Sequence, residues 1–415
     1  MQNHFLRRVC IKNYKSIAAC NVELKAPLAI LVGPNGSGKS NFLDALRLIS
    51  DSLNTTLEQA LLDRGGVKDV RRRPPAGGGR PSNFGVRVDF ALRSDRNQWG
   101  FFAFEIKAIS DSSFVVSRER CEVFNGPMLA ASYDVVSKRE TPDTNLSVAM
   151  PPVLHDRLYL TNAGSIEPFN EVFESLRSMG FYNLNPGVIR QLQHPDPGTL
   201  LNRDGRNLAS VLGNLKNQHP DVKRNIEKYL QNVVPGIESV GRRSMREMET
   251  VEFRQIAEEQ ASPWHFSALN MSDGTLRALG VLVALLQTNT HTPSVVGIEE
   301  PEMALHPAAS GVLWDAIQEA SQRTQVLATS HSADLLDLLE KDKFPSDFLL
   351  SVISEDRKTV IGPLKKENLS VLKKELCLPG ELLRQGVLEP DEESRERARS
   401  AIKLEMFSTG TPCAG

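Results

Sequence analysis

The sequence has little cysteine, no long apolar run and almost no net charge. Its five cysteines are scattered and form no C-x-x-C pair, which argues against a disulfide framework or a zinc site and favours a reducing cytoplasm. No apolar run approaches the roughly 18 residues of a membrane span, and no apolar stretch of a signal peptide follows the charged N-terminus. We therefore expect a cytoplasmic protein with no membrane partner. With a formal charge of −2 over 415 residues, contact with DNA would need a local basic patch.

One stretch, Gly-Pro-Asn-Gly-Ser-Gly-Lys-Ser at residues 33–40, has the full G-x-x-x-x-G-K-[ST] spacing of a phosphate-binding loop. The apolar run at 28–32 predicts a buried parallel strand before it, and apolar residues at helical spacing over 41–49 predict a helix after it. Because motif and flanking context agree, an ordinary glycine-rich turn is the less favoured alternative. The residues expected to surround the phosphates are Gly33, Pro34, Asn35, Gly36, Ser37, Gly38, Lys39, Ser40 and Asn41.

This loop has a direct chemical interpretation. Its glycines allow backbone N–H groups to converge on phosphate oxygens, and the N-terminus of the following helix adds a positive end. Lys39 can reach the β- and γ-phosphates of a nucleoside triphosphate, and Ser40 can ligate Mg²⁺. The sequence thus predicts ATP and Mg²⁺ as cofactors.

Carboxylates and a histidine follow two apolar runs later in the chain. The run at 294–298 ends in Glu299 and Glu300, and the run at 325–329 leads to His331. Carboxylates at the C-terminal edge of a parallel sheet lie where open α/β folds bind ligands, so Glu299 can hold Mg²⁺ and Glu300 can polarise the attacking water. His331 could hydrogen-bond the γ-phosphate or that water, although a lone histidine after a strand is more often structural. We expect Glu300 and His331 to be catalytic, together with the lysine of the loop.

Ser272 and Gly274 precede a strongly apolar stretch at 276–286 that predicts a helix. A serine and a glycine at a helix N-terminus can bind a second anion. Alternatively, Ser272 serves only as the cap of that helix. A second phosphate-binding helix start in one nucleotide-binding chain suggests one half of a shared site.

The chain between these motifs changes character several times. Alternating residues at 84–124 predict antiparallel strands, residues 126–152 are predicted to be irregular or weakly stranded, and residues 168–180 and 208–233 predict helices. Glycines and prolines predict a loop over 65–81, which the arginines at 71–73 make locally basic. It either contacts phosphate groups or a partner, or is a solvated loop, which we favour. Further expected elements are strands at 8–12, 18–24 and 248–254, helices at 53–62 and 307–320, a hairpin over 347–364, and a charged helical tail at 365–415 with a flexible end.

The opening Ile-Lys-Asn-Tyr-Lys-Ser at residues 11–16 resembles the I-x-N-[FY]-[KR]-S segment of RecF-like and SMC-like ATPases. The whole set of motifs also occurs in the order seen in ABC-type ATPases of the RecF/SMC/OLD kind. Residues 271–307 look especially like AAA family predicted ATPases that stand alone without a Toprim nuclease domain, some of them in anti-phage systems. The motifs that carry this resemblance are the phosphate loop, Ser272-Asp273-Gly274, Ile298-Glu299-Glu300-Pro301-Glu302, Leu305-His306-Pro307 and Ser330-His331-Ser332.

The resemblance implies an α/β fold, namely a P-loop NTPase head of the ABC type with an antiparallel β lobe and a helical insertion. It implies a division of the chain into the N-terminal part of the head at 1–70, the β lobe at 71–150, a mainly helical insertion at 151–255, the C-terminal part of the head at 256–364 and a helical tail at 365–415.

The resemblance also implies partners. In that group two heads sandwich two ATP molecules, and each site combines the phosphate loop of one chain with the signature residues of the other, here Ser272 and Gly274. We therefore expect a homodimer or higher oligomer whose ATP-driven assembly regulates DNA or a separate effector such as a nuclease. Asn13 and Lys15 would lie near the adenine and ribose; solvated turn residues are the competing interpretation.

Departures from the family pattern keep other functions open. Glu299 stands where the group usually has Asp, so its direct ligation of Mg²⁺ is an open question, and Gln98 is not a convincing glutamine ligand. No D-x-D cluster follows His331, so any DNA cleavage is expected in a separate protein. The alternatives are the motor subunit of an ABC transporter, which the Ser-Asp-Gly-Thr signature argues against, and an ATP-gated scaffold or sensor with little hydrolysis.

Overall fold

The computed structural model describes residues 4–73, 79, 81–92, 97–255, 264–287, 292–305, 309–338, 348–374, 376–400 and 404–409. The strands are β1 (Leu6–Tyr14), β2 (Ile17–Glu23), β3 (Leu28–Val32), β4 (Asn83–Ala91), β5 (Gln98–Ala108), β6 (Phe114–Asn125), β7 (Met128–Val136), β8 (Asp143–Thr144), β9 (Gly180–Tyr182), β10 (Ile237–Met245), β11 (Met248–Gln255), β12 (Trp264–Ser267), β13 (Val295–Glu299), β14 (Gln325–Ser330), β15 (Leu349–Glu355) and β16 (Lys358–Pro363). The helices are α1 (Lys39–Asn54), α2 (Leu57–Leu62), α3 (Val67–Val70), α4 (Leu160–Ala163), α5 (Phe169–Arg177), α6 (Pro186–Ile189), α7 (Leu208–Gln218), α8 (Pro220–Val233), α9 (Asp273–Leu286), α10 (Ser310–Ser321), α11 (Ala333–Asp337), α12 (Lys366–Lys373), α13 (Pro379–Arg384) and α14 (Glu392–Arg399).

The chain divides into two compact units. Unit 1 comprises Met1–Met179, Pro345–Cys377 and Leu382–Gly415, and unit 2 comprises Gly180–Phe344 and Leu378–Glu381. The phosphate loop belongs to unit 1. The two glutamates, the histidine and the predicted signature belong to unit 2.

Unit 1 contains the expected antiparallel lobe, a sheet in the order β2-β1-β4-β5-β6-β7-β8. One face of this sheet is apolar, because alternate residues of β4 and β5 such as Val88 and Phe102 are fully buried. Residues 126–152 were predicted to be irregular or weakly stranded, and β7 within them is a regular strand of nine residues. It pairs with β6 with one register shift between Leu129 and Ala131, and the inward residues Ala131, Tyr133 and Val135 follow the period of a half-buried strand.

The strand before the phosphate loop, β3, is buried along its whole length and pairs in parallel with β15, with Ile30 opposite Leu349. The predicted C-terminal hairpin is confirmed as β15 and β16, which are antiparallel. Helix α1 buries the predicted apolar stripe, which comprises Phe42, Ala45, Leu46 and Ile49. Burial of this stripe fixes the helix whose N-terminus carries the loop.

Unit 2 has a parallel set of strands in the order β14-β13-β9, with Glu299 opposite Thr329 and Val296 opposite Gly180. The helix predicted at 168–180 ends at Arg177 as α5, and strand β9 begins at Gly180, the last residue of the predicted range. The helix predicted at 208–233 is two helices, because Pro220 lacks the N–H that would continue α7 and starts α8. Strands β10, β11 and β12 form a separate antiparallel sheet, of which only β11 was predicted.

Other expectations differ at their edges. The helix expected at 53–62 is interrupted, since α1 ends at Asn54 and the Thr56 hydroxyl caps α2 by accepting from the Gln59 N–H. The tail contains α12, α13 and α14 as expected. Residues 306–308, 347 and 410–415, on which parts of the predicted motif, helix, hairpin and flexible end fall, lie outside the described residues.

Candidate functional site

The phosphate loop has the backbone geometry that its glycines were expected to allow. Gly36 and Gly38 have φ angles of 76° and 106°, in the left-handed region that favours glycine. A Cβ on Gly38 would lie 2.0 Å from the Thr359 Oγ1, so this position also demands the absence of a side chain. The Lys39 ammonium donates to the carbonyl oxygens of Gly33 (2.8 Å) and Pro34 (3.0 Å) and therefore lies over the loop.

A chain of hydrogen bonds holds the loop from behind. The Asn41 amide donates to the Ser16 Oγ (2.6 Å), which lies 2.7 Å from the Thr359 Oγ1, and that hydroxyl donates to the Ser37 carbonyl (2.8 Å). Since Thr359 uses its only proton on Ser37, Ser16 is the donor between the two hydroxyls. Thr359 is the second residue of β16, after the hairpin turn, and was not predicted as a site residue.

Of the residues expected near the adenine and ribose, Lys15 pairs with a half-buried carboxylate, that of Asp44. Asn13 and Lys15 have φ angles of 54° and 45°, and the Lys15 ammonium lies 2.5 Å from Asp44 Oδ2. Burial alone would raise the pKa of Asp44, but the charges of Arg64, Lys15 and Arg47 lower it to about 2. Lys15 is thus ion-paired with Asp44 of α1, and its contact with a nucleotide stays a prediction.

The residues of the loop fit a phosphate group and a hard cation. Pro34, Asn35 and Gly36 are exposed, so the loop backbone is open at its tip. The buried Ser37 hydroxyl has no partner within the described residues, and the Ser40 hydroxyl at the first turn of α1 is exposed. Hydroxyl and phosphate oxygens are the ligands that Mg²⁺ prefers.

In unit 2, the strands β13 and β14 carry Glu299, Glu300 and His331 to one edge. Glu300 has a φ of 45°, and its N–H donates to the Thr329 carbonyl (3.1 Å). The Glu300 Oε1 lies 3.1 Å from the His331 Nδ1, within hydrogen-bonding distance. Glu299 instead pairs with Arg203, 3.0 Å from its Nη2 to the Glu299 Oε1. The ion pair with Arg203 competes with the predicted role of Glu299 as a Mg²⁺ ligand.

Glu302 is a further buried carboxyl beside this edge that sequence reasoning did not assign. Its Oε1 accepts from the Ser330 hydroxyl (2.6 Å), which in turn accepts from the Ser332 N–H (3.0 Å). Burial raises the pKa of Glu302, and the hydrogen bond from Ser330 only partly offsets it. The bonds from Ser332 and Ser330 fix the segment that carries His331.

Helix α9 begins at the predicted signature. Ser272 is exposed and caps the helix, since its Oγ accepts from the Thr275 N–H (3.2 Å). A Cβ on Gly274 would lie 2.6 Å from the Ala304 carbonyl, which explains why glycine stands there. Ser272 therefore caps α9, and its contact with a phosphate stays a prediction.

Two properties of the described residues bear on other functions. No helix among them is long and apolar enough to cross a membrane. Within the same residues, no group of three or more histidine, cysteine, aspartate or glutamate side chains has the arrangement of a metal site.

Comparison with known proteins supports the predicted resemblance. A family model described as "AAA ATPase domain" matches residues 5–115, and one described as "AAA domain, putative AbiEii toxin, Type IV TA system" matches residues 201–337. The DNA replication and repair protein RecF of Gloeobacter violaceus is 42% identical over 60 residues, which are 14% of this chain and 15% of RecF. The ABC transporter A family member 12 of Arabidopsis thaliana is 36% identical over 70 residues, which are 17% of this chain and 7% of the transporter.

The chain thus spans about 15% and 7% of the lengths of these two curated relatives. A solved SMC head bound to the C-winged helix domain of ScpA matches 88% of this chain and 99% of that chain, with a TM-score of 0.53 and 13% identity. At that identity the likeness shows the fold. The two AAA family models, the RecF match and the SMC-head fold together support an ABC-type ATPase of the RecF/SMC-like group, with the mixed α/β fold of a P-loop ATPase head.

Proposed function

We propose that this chain binds ATP with Mg²⁺ and hydrolyses it, and that nucleotide-dependent dimerisation of its head regulates DNA or a separate effector. The observation that carries the proposal is the phosphate loop. Its tip at Pro34 to Gly36 is exposed, and Gly36 has a left-handed backbone. The Lys39 ammonium lies over the loop, and a 16-residue helix starts directly behind it. These are the parts that bind the β- and γ-phosphates in P-loop enzymes.

Each further group has a role that its chemistry supports. The Ser40 hydroxyl, and Glu299 directly or through water, would hold Mg²⁺ together with the nucleotide, and the bound ion would supply positive charge at the phosphates. Glu300 accepts the proton of the attacking water, and His331 orients that carboxylate. Lys39 stabilises the negative charge that develops on the phosphates.

The proposal also covers the oligomeric state of the protein and its biological role. We propose that Ser272, which is exposed, and Gly274 at the start of α9 contact the nucleotide bound by a partner chain. This arrangement gives a homodimer or higher oligomer. The description of the model that matches residues 201–337 names a putative toxin of a type IV toxin–antitoxin system. That description supports an effector in a defence setting more than a transport function, and the proposal places the protein in the cytoplasm.

A second candidate is an ATP-gated scaffold or sensor with little hydrolysis. The ion pair between Glu299 and Arg203 favours it, because a carboxylate held by an arginine is less available to a metal ion. Steady-state turnover of ATP by the purified chain separates the two candidates.

The test of ATP binding compares Lys39→Ala with Lys25→Ala, since Lys25 is an exposed lysine of the same unit. We expect Lys39→Ala to lose ATP affinity and hydrolysis because it removes the cation over the loop, while circular dichroism shows an intact fold. Lys25→Ala should match the wild type in both. Normal turnover by folded Lys39→Ala protein would reject the phosphate-loop assignment.

A further inference from the structure

Arg277 is a buried arginine whose guanidinium donates hydrogen bonds to backbone carbonyls. It lies on α9, five positions after Ser272, and is 3% exposed. Its Nη1 donates to the Leu184 carbonyl (2.5 Å), and its Nη2 donates to the carbonyls of Glu299 (3.1 Å) and Glu300 (3.0 Å). Within the described residues, Arg277 forms no ion pair with a carboxylate.

Such an arginine is costly to bury. Burial lowers the pKa of Arg277, and the nearby charges of Glu300, Glu302 and Glu299 offset that effect only in part. A buried cation whose hydrogen-bond partners are neutral carbonyls does not recover the full free-energy cost of its desolvation. The side chain must therefore hold a local structure whose geometry matters.

The backbone at Glu300, to which Arg277 donates a hydrogen bond, is strained. Glu300 adopts a φ of 45°, and a residue other than glycine in this region costs about 1–3 kcal/mol and persists only where its surroundings force it. The Glu300 N–H is fixed by the Thr329 carbonyl and hydroxyl, and its carbonyl accepts from Met303 N–H (3.0 Å) as well as from Arg277. Arg277 is the side chain that bonds to both carbonyls of this strand end.

We propose that Arg277 is a positioning residue, which holds Glu300 in its left-handed conformation and ties it to α9, the helix that begins at Ser272. The inference rests on the proposed function, because it assigns Arg277 to the base of that reaction. It also makes the orientation of Glu300 depend on the position of α9. A displacement at the exposed start of this helix would move the donors that hold the base.

The test uses Arg277→Met, which keeps most of the length of the side chain without its charge, and Arg277→Lys, which keeps one donor group. The control is Arg87→Met, because Arg87 is also fully buried and donates to the carbonyls of Met406 and Ser408, although it pairs with Asp89 as well. We expect Arg277→Met to lower kcat about 100-fold, the scale for a displaced catalytic group, while the Kd of a fluorescent ATP analogue is unchanged. Arg277→Lys should recover part of kcat, and Arg87→Met should lower the melting temperature and leave kcat unchanged.

A second measurement does not depend on turnover. Hydrogen exchange of the Glu300 and Met303 amides should be faster in Arg277→Met than in the wild type, while amides within β14 keep their protection. Folded Arg277→Met protein with normal kcat and normal exchange at Glu300 would overturn the inference and leave the proposed ATPase function intact. Absence of turnover in the wild type would reject the ATPase function, and with it the inference. If Arg277→Met lost ATP affinity and kcat equally, Arg277 would have a general structural role instead. The same conclusion would follow if Arg277→Met did not fold and Arg277→Lys gave no recovery.

Discussion

The His331 Nδ1 atom lies 3.1 Å from the Glu300 Oε1 atom, although 31 positions separate the two residues and each belongs to a different strand end. The parallel register of β13 and β14 places Glu299 opposite Thr329, so the residues that follow the two strands meet. A histidine at this distance can orient the carboxylate that accepts a proton from water. The pairing favours Glu300 over Glu299 as the catalytic base.

The two adjacent glutamates should therefore behave differently when each is changed to glutamine. Glu300→Gln keeps size and hydrogen bonding but cannot accept a proton, so we expect it to bind ATP and to hydrolyse it at least 100-fold more slowly, about the scale of a lost general base. Glu299→Gln should chiefly change the Mg²⁺ concentration that turnover requires. Release of phosphate at graded Mg²⁺ measures both effects. If Glu299→Gln alone abolishes hydrolysis with its Mg²⁺ dependence unaltered, the roles are exchanged.

Thr359 should be needed for ATP affinity, because its hydroxyl links Ser16 to the Ser37 carbonyl behind the loop. Thr359→Val keeps the shape and removes the hydroxyl, which leaves both partners unsatisfied. We expect it to weaken the binding of a fluorescent ATP analogue about tenfold, the scale of a lost buried hydrogen bond. Thr359→Ser, which keeps the hydroxyl, is the matched control and should bind nearly as the wild type does. Equal affinity of the valine and serine variants would mean that the loop holds its shape without this bond.

The phosphate loop could be predicted from the sequence because its strand, glycines and helix are contiguous. The site residues after β13 and β14 could also be predicted, because each apolar run is followed directly by polar residues. Thr359 could not be predicted. It is 343 positions away from Ser16, and nothing in its own neighbourhood marks it as part of the loop. The φ of 45° at Glu300 also has no local signal, since it results from bonds made by Arg277 and Thr329.

The short strand β9 escaped prediction for a related reason. Its three residues pair with β13, which lies far along the chain, and the preceding residues 169–177 form a helix. The charged tail was predicted as helical, but its packing was not. Fully buried Arg87 donates to the carbonyls of Met406 and Ser408, which only the tertiary structure brings to the lobe.

A pH dependence of stability should come from Glu119 in the lobe. This fully buried carboxylate accepts hydrogen bonds from the Tyr133 hydroxyl (2.7 Å) and the Tyr159 N–H (2.6 Å) and Leu160 N–H (2.7 Å), yet burial raises its pKa to about 7. The folded state therefore binds the proton more tightly than the unfolded state, in which the carboxyl keeps its ordinary pKa of 4.5. Stability should fall as the pH rises from about 4.5 to about 7, by up to roughly 1.4 kcal/mol per pH unit.

Thermal unfolding between pH 5 and pH 8 tests this expectation. The melting temperature of Glu119→Gln, which cannot ionise, should depend less on pH than that of the wild type. Glu140→Gln, which changes an exposed carboxylate of the same unit, should retain the pH dependence of the wild type. Parallel pH profiles for all three proteins would mean that Glu119 is ionised throughout and that its three hydrogen bonds outweigh its burial.

The last prediction concerns assembly: hydrolysis should need two chains, with Ser272 acting on the nucleotide of its partner. Ser272 is exposed at the N-terminus of the 14-residue helix α9, where backbone N–H groups and the helix dipole favour an anion. Loss of such a donor from a transition state costs about 3–4 kcal/mol, roughly 100-fold or more in rate, so a single chain should be nearly inactive. Ser272→Arg should accordingly lose turnover while it retains ATP binding at its own phosphate loop.

Mixing Lys39→Ala chains with Ser272→Arg chains tests this arrangement directly. In a heterodimer of the two, one composite site carries both defects, whereas the other combines the intact Lys39 of one chain with the intact Ser272 of its partner. Mixing should thus restore ATP hydrolysis that neither variant has alone, and the restored rate should rise with total protein concentration because it depends on association. Lys39→Ala mixed with Lys39→Ala/Ser272→Arg is the control, since no pairing of these chains has an intact loop. No recovery although heterodimers form, or full turnover by a dilute monomer, would contradict a site shared between chains.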